Sequence, residues 1–177
     1  DTGVVLESGR ETERSGVEAS FASLYVGRRV VLTPLPETRP EALARVRAMW
    51  QAAGADVVNM SVAHHDDVLA ATSHLPHLLA YALVDLLAQM NDRREIFSFA
   101  AGGFRDFTRI TSSDPVMWRD ISLANREAIV GMLKRYRLEL DGLIAAITAG
   151  DAAKLEALFM RAKAARDALM NPEPDKE

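Results

Sequence analysis

Side chains able to bind, orient or exchange protons with a small molecule are concentrated between residues 73 and 120 of the chain. Two dense blocks carry them, Ser73-His74-Leu75-Pro76-His77 and Gly102-Gly103-Phe104-Arg105-Asp106-Phe107-Thr108-Arg109-Ile110, and Ser113-Asp114-Pro115-Val116-Met117-Trp118-Arg119-Asp120 follows them. A chain building only a packed core would not set so many costly polar groups beside helix-breaking glycines and an apolar run. The blocks therefore read as a site. Ser73 and His77 lie four residues apart, so a kinked helix directs a hydroxyl and an imidazole into one cavity, where each can donate to a substrate oxygen. The competing reading is that they are helix-packing polar residues satisfied by nearby carbonyls. Arg109 stands between apolar residues, where burying an unpaired guanidinium is expensive. Its planar fork suits bidentate binding of a carboxylate, and spacing alone equally allows a structural ion pair with Asp106 or Asp114.

All four histidines, at 64, 65, 74 and 77, fall in one short stretch, which invites a metal reading. The spacing is not that of the metalloprotease motif, there is no cysteine, and a proline interrupts the helix, so no metal site is expected. Gly102 and Gly103 allow either close backbone approach to a ligand or a left-handed turn between helices. Trp118 reads as core or pocket wall, and Asp106 as a residue that orients Arg109 or caps a helix.

The 177 residues suffice for one ordinary domain, or for part of one and the whole of a second. With 49% hydrophobic and 26% charged residues the composition is that of a soluble globular protein. A net charge of −4 argues against a nucleic-acid surface, which needs clustered basic excess. The absence of cysteine excludes disulfides, thiolate zinc sites and a cysteine nucleophile, and it fits a cytoplasmic protein. The longest apolar runs, such as 78–87 with Asp85 inside it, are too short for a membrane span, and the first residues carry no secretory signal pattern.

The β-branched run at 29–34, ended by Thr33-Pro34-Leu35-Pro36, predicts a buried strand. Arg39-Pro40 opens a helix to about residue 53, with Ala42, Leu43, Val46, Met49 and Trp50 on one stripe. Gly54 follows as a stop, and 55–60 reads as a second buried strand. From Val62 onward nearly everything is helical. Pro76 predicts a kink or break near 74–77, and a short helix covers 93–100. Ser113-Asp114-Pro115 starts a helix that runs to about residue 149 on the stripe Trp118, Ile121, Asn125, Ile129, Met132, Tyr136, Leu140, Leu143 and Ile147. Gly150-Asp151 stops and restarts the chain. Residues 152–170 then form an antiparallel partner with Leu155, Leu158, Phe159, Ala162 and Leu169 as its apolar face. The first stripe, widened by Leu123, Leu133 and Leu138, is broader than one neighbour covers, which predicts a homodimer through these helices. The alternative is that helices at 62–87 and 152–170 cover both faces within one subunit.

Together with Ser15-Gly16-Val17-Glu18-Ala19, Val30-Val31-Leu32-Thr33-Pro34 and His65-Asp66, the two dense blocks in this order resemble the prephenate dehydrogenase family. Its members oxidatively decarboxylate prephenate to 4-hydroxyphenylpyruvate with NAD or NADP in tyrosine biosynthesis. The resemblance implies a mainly α fold, in which the remnant of an α/β nucleotide-binding, Rossmann-like domain is followed by an all-α dimerisation domain. Residues 1–61 would be the C-terminal portion of the nicotinamide-binding domain, 62–170 the helical substrate-binding and dimerisation domain, and 171–177 a flexible tail. It implies that Arg109 binds a carboxylate of prephenate or arogenate and that His77 and Ser73 contact the same substrate. His65, His74, Asp106, Gly102, Gly103, Trp118 and Glu13 would support the pocket. It also implies a homodimer, with no nucleic-acid or membrane partner.

Two departures accompany the resemblance. No G-x-G-x-x-G occurs to hold a dinucleotide pyrophosphate. Nor does any histidine stand between Val4 and Glu13, where the family's catalytic histidine precedes the Ser-Gly-Val-Glu motif. Asp1-Thr2-Gly3 resembles the end of a later strand of the nucleotide domain, and Gly3-Val4 and Ser8-Gly9 read as abrupt joins between familiar pieces. The chain is thus expected to lack most of the cofactor domain, leaving catalytic and cofactor-binding residues unassigned. The alternative function is an inactive helical dimerisation or ligand-binding module without a cofactor site.

Overall fold

The computed structural model of the chain describes residue 21 and residues 23–170. Strand β1, Arg29–Leu32, pairs in parallel with strand β2, Asp56–Asn59, from Arg29 opposite Asp56 to Leu32 opposite Asn59. Helix α1, Pro40–Ala52, connects them. Val30, Val31 and Leu32 are buried at consecutive positions, as a strand covered on both faces requires. Val30, Leu32, Ala55 and Val57 form the core, and Tyr25, Leu43, Val46 and Trp50 pack against it. Met49, expected on the same stripe, is exposed instead. It lies about 60° further round the helix than Val46, beyond what a two-stranded sheet can cover. Arg47 donates to the Val57 carbonyl at 2.7 Å and to Asn59 Oδ1 at 2.6 Å, tying α1 to β2. Gly54 turns the chain at φ 87°, and a Cβ there would stand 2.9 Å from Val26 Cγ2, so both conformation and space call for glycine.

Helix α2, Val62–Leu69, is capped by Ser61, whose hydroxyl accepts from the His64 amide at 3.2 Å. It runs through a π turn, Ala70–His74, into helix α3, Leu75–Ala88. Pro76 accounts for the wide turn: its nitrogen has no proton to give, and its ring would collide with the carbonyl one turn earlier. One extra residue relieves this, with the Leu75 amide reaching back to the Ala70 carbonyl. The expected kink at 74–77 is therefore displaced upstream to 70–74, and the helix does not break.

Helices α4, Arg93–Ser98, and α5, Gly102–Thr108, and the 3₁₀ turn Arg109–Ser112 all pack against α3. The glycine pair was expected to make a turn or an open approach. It forms the first two positions of α5, and neither residue has a positive φ.

Asp114 caps helix α6, Pro115–Ala124, accepting from the amides of Val116 at 2.7 Å and Met117 at 3.4 Å. Helix α7 is Arg126–Thr148 and helix α8 is Ala152–Met170. The single helix expected to reach residue 149 is thus interrupted at Asn125, whose dihedrals, φ −102° and ψ 35°, leave the helical region. Gly150, at φ 65°, reverses the chain, and Asp151 caps α8 through the Lys154 amide at 3.0 Å.

The chain divides into two compact units, 1–128 and 129–177. Within the second, the expected burial of the apolar face of α8 is not found. Leu155 and Leu158 are half-buried, but Phe159 is 56% and Leu169 74% exposed, and α8 buries no residue. Its apolar residues spread round more of the helix than one neighbour covers. Among the described residues no helix is long and apolar enough to cross a membrane.

Candidate functional site

Helix α3 is the hub of the candidate residues, because the π turn feeds Ser73 and His74 into its first turn and His77 stands on that turn. His77 Nδ1 lies 2.9 Å from the Ser73 carbonyl. A carbonyl only accepts, so Nδ1 carries the proton and Nε2 keeps its lone pair. The ring stacks on Trp118 of α6 with centroids 3.8 Å apart and planes inclined by 22°. Trp118 also meets the His74 ring edge-on at 6.1 Å, and it is buried. Its indole Nε1 is sealed from solvent with no partner among the described residues.

His74 is the buried polar residue of this region, 8% exposed. Asn125 Nδ2 donates to the Asp66 carbonyl at 2.8 Å and lies 3.2 Å from His74 Nδ1. The carbonyl fixes which end of the amide faces inward, so His74 Nδ1 accepts and the ring proton sits on Nε2. Burial is the main cause that lowers the His74 pKa, reinforced by the nearby His65 and His77 and opposed by Asp66. Burial likewise lowers that of His77, against the hydrogen bond to Ser73. Both shifts favour the neutral ring.

The remaining predicted residues lie around this centre. His65 bonds Asp66 Oδ1 through Nδ1 at 3.0 Å, and its Nε2 is sealed without a partner among the described residues. His64 is exposed. The histidines thus answer to separate partners, and among the described residues no group of three acids or histidines could hold a metal ion. Arg109 opens the 3₁₀ turn that packs on α3, and Tyr81, one turn beyond His77, donates to the Ser113 carbonyl at 2.9 Å. Arg109 is exposed, so the expectation of a guanidinium enclosed by apolar neighbours is corrected. Asp106 is exposed inside α5 and caps no helix start. Gly102 and Gly103 are exposed on the same helix. Glu13 lies outside the described residues, as do the Ser15-Gly16-Val17-Glu18-Ala19 motif and the tail.

Two cavities flank the cluster. One of about 310 Å³ is lined by Asp66, Asp67, Leu123, Asn125, Arg126 and Glu127 among others. The other, about 170 Å³ and apolar, is lined by Val31, Met60, His65, Val68 and Leu69 among others. Asn125 joins the site although its sequence position marked it only as a member of the apolar stripe. The signal was there: it is an amide at helical spacing between Ile121 and Ile129.

Chemically, a neutral His77 with its Nδ1–H engaged presents the Nε2 lone pair as an acceptor, and donation from Nε2 to a substrate oxygen requires the protonated ring. Arg109 can bind a carboxylate. The turn after β1 offers little to a dinucleotide's phosphates. It holds Pro34 and Pro36, and Pro40 opens α1; none of the three has an amide proton, and the Leu35 amide already bonds Thr38 Oγ1 at 2.9 Å.

The family model for the prephenate dehydrogenase dimerization domain matches residues 61–161, and that for the prephenate dehydrogenase nucleotide-binding domain matches residues 10–59. The chain is 39% identical over 160 residues to a cyclohexadienyl dehydrogenase of Zymomonas mobilis, covering 89% of this chain and 55% of that protein. It superposes on the crystal structure of prephenate dehydrogenase from Aquifex aeolicus in complex with hydroxyphenyl propionate and NAD+, with a TM-score of 0.83 and 40% identity over 89% of this chain and 56% of the other. Synechocystis arogenate dehydrogenase gives a TM-score of 0.78 at 30% identity, over 90% of this chain and 58% of the other. The chain therefore spans about half the length of the relatives it matches, 55% of the first of them.

Proposed function

Because the chain belongs to the prephenate dehydrogenase family, we propose that the complete protein oxidatively decarboxylates prephenate, or its amino counterpart arogenate, in tyrosine formation. The ring carboxylate leaves as carbon dioxide, and aromatisation of the ring drives the reaction. NAD or NADP is the proposed hydride acceptor, and no described residue is assigned to it. Residues 1–61 are read as the end of the nucleotide domain and 62–170 as the helical domain. Arg109 is assigned to a substrate carboxylate, His77 Nε2 to the substrate hydroxyl, and Ser73 to a further polar contact. Trp118, His74 and His65 hold the ring positions, while Asp106, Gly102 and Gly103 border the pocket from α5. The exposed apolar faces of α7 and α8 support a homodimer formed through these helices, and a cytoplasmic location accords with this biosynthetic role.

The observation that carries the reading is the His77 ring held on Trp118 with Nδ1 engaged by Ser73, inside the span matched by the family's dimerisation domain. The test is turnover of prephenate and of arogenate by the complete protein with NAD+ and with NADP+, followed by the absorbance of the reduced nicotinamide. One pairing is expected to reduce the cofactor with release of carbon dioxide and the aromatic product. Cofactor left oxidised in all four pairings would overturn the assignment in favour of an inactive ligand-binding module.

A further inference from the structure

Asn125 stands alone between α6 and α7, and the apolar stripe on either side of it would otherwise continue as one helix. Its amide nitrogen has two protons and meets two acceptors, the Asp66 carbonyl at 2.8 Å and His74 Nδ1 at 3.2 Å. Asp66 in turn accepts from His65 through its carboxylate. The interruption of the helix and the bridging amide therefore occur at the same residue. We propose that Asn125 is a positioning residue: it locks the His74 ring as the Nε2–H tautomer and holds the π turn bearing Ser73 and His74 against Trp118 of α6. The proposal rests on reading Ser73 and His77 as substrate contacts.

The argument is one of donors and acceptors. A neutral imidazole has one N–H, so an obligate donor opposite Nδ1 leaves the proton on Nε2. The Asp66 carbonyl prevents the amide from rotating by half a turn, because its oxygen would then face another oxygen. The other groups facing His74 are His65 and Asp66 from α2, His77 from α3 and Trp118 from α6. None of these bonds Nδ1. Ser73 precedes His74 directly in the π turn, and its carbonyl orients His77, so a displaced His74 carries the substrate contacts with it.

Asn125→Asp, nearly the same shape, tests this, because a carboxylate accepts where the amide donated. Nitrogen-15 spectra of the histidine rings in the complete protein, with His74 assigned through H74Q, read the tautomer directly. In the native protein the proton is expected on Nε2. In Asn125→Asp it is expected on Nδ1, or on both nitrogens, and the KM for the cyclohexadienyl substrate is expected to rise about five- to tenfold with the KM for cofactor unchanged. A native His74 protonated on Nδ1 overturns the proposal even if the variant does not fold. So does a variant whose His74 nitrogens are unaltered, or one whose ring has switched while KM has not. If the native protein turns over no such substrate, the functional reading fails, while the ring spectra still decide the lock.

Discussion

The polar cluster around α3 and the helical pair α7–α8 solve opposite problems. In the cluster most costly groups meet one another: Ser73 engages His77, Asn125 engages both Asp66 and His74, and Trp118 covers two imidazoles, while its own Nε1 and His65 Nε2 have no partner among the described residues. In the helical pair the cost is apolar and stays open to water. Ile144 is 61% and Ile147 60% exposed, and α8 has no buried residue. Within the first region the chain supplies most of its own partners, whereas the apolar face of the second is of the kind that a further surface covers.

The largest expected effect separates the two directly. Trp118→Ala removes a buried aromatic that backs both His74 and His77, and should destabilise the first unit by about 3–5 kcal/mol, read as a lower denaturant midpoint. Phe159→Ala on α8, exposed in the single chain, should leave the unfolding of that unit unaltered. Equal losses from the two would show that α8 is already covered within one chain.

Next comes the assembly. Ile144→Asp with Ile147→Asp places two charges on the exposed face of α7, so each must be desolvated for a symmetric partner to pack there. The dimer dissociation constant should rise on the order of a hundredfold or more, seen by light scattering over a dilution series. The ring contacts of His77 with Trp118 should persist in the monomer. A native protein already monomeric at micromolar concentration would remove the contrast at its root.

Arg109→Ala should have a smaller effect, and one confined to binding. Losing a charge-assisted bidentate contact costs about 1.5–3 kcal/mol, or roughly a ten- to hundredfold rise in KM for the substrate. An unaltered KM would return Arg109 to a structural role.

Local chemistry made much of this architecture legible. The run Val30-Val31-Leu32 could only be a strand covered on both faces, Gly54 and Gly150 fall at the reversals their freedom allows, and Asp114-Pro115 opens α6. The features that escaped depend on distant partners or on displacement along the chain. Pro76 disturbs the carbonyls before it, so the wide turn lies at Ala70–His74 and not at the proline. Helical spacing carried Asn125 straight through an apolar stripe, because nothing local reveals an acceptor 59 positions earlier. Exposure of Arg109 and of the apolar face of α8 is a matter of what lies opposite, which periodicity does not report. Ser73 and His77 were legible as a pair, but the direction of the His77 hydrogen bond was not, since only the Ser73 carbonyl decides which nitrogen holds the proton.

The smallest expected effect is a pH dependence that should appear in one region and not in the other. Burial lowers the pKa of His74 and of His77, so each takes up a proton less readily folded than unfolded, where an imidazole titrates near 6.5. Between the folded value and about 6.5 the unfolded chain binds more protons, and stability therefore rises with pH across that window. The contribution is fully present above about 6.5 and is lost as pH falls through the window toward the folded values. Denaturant midpoints of the first unit, measured from about pH 7.5 downward, should decline on the acid side, and the double variant His74→Gln with His77→Gln should flatten that decline. All four histidines lie between 64 and 77, so α7 and α8 contain none, and association through them should not follow the same titration. A dimer dissociation constant that tracks the acid limb as closely as the first unit does would mean that the histidine cluster and the helical face are coupled, and the division between a largely self-partnered region and an open one would fail.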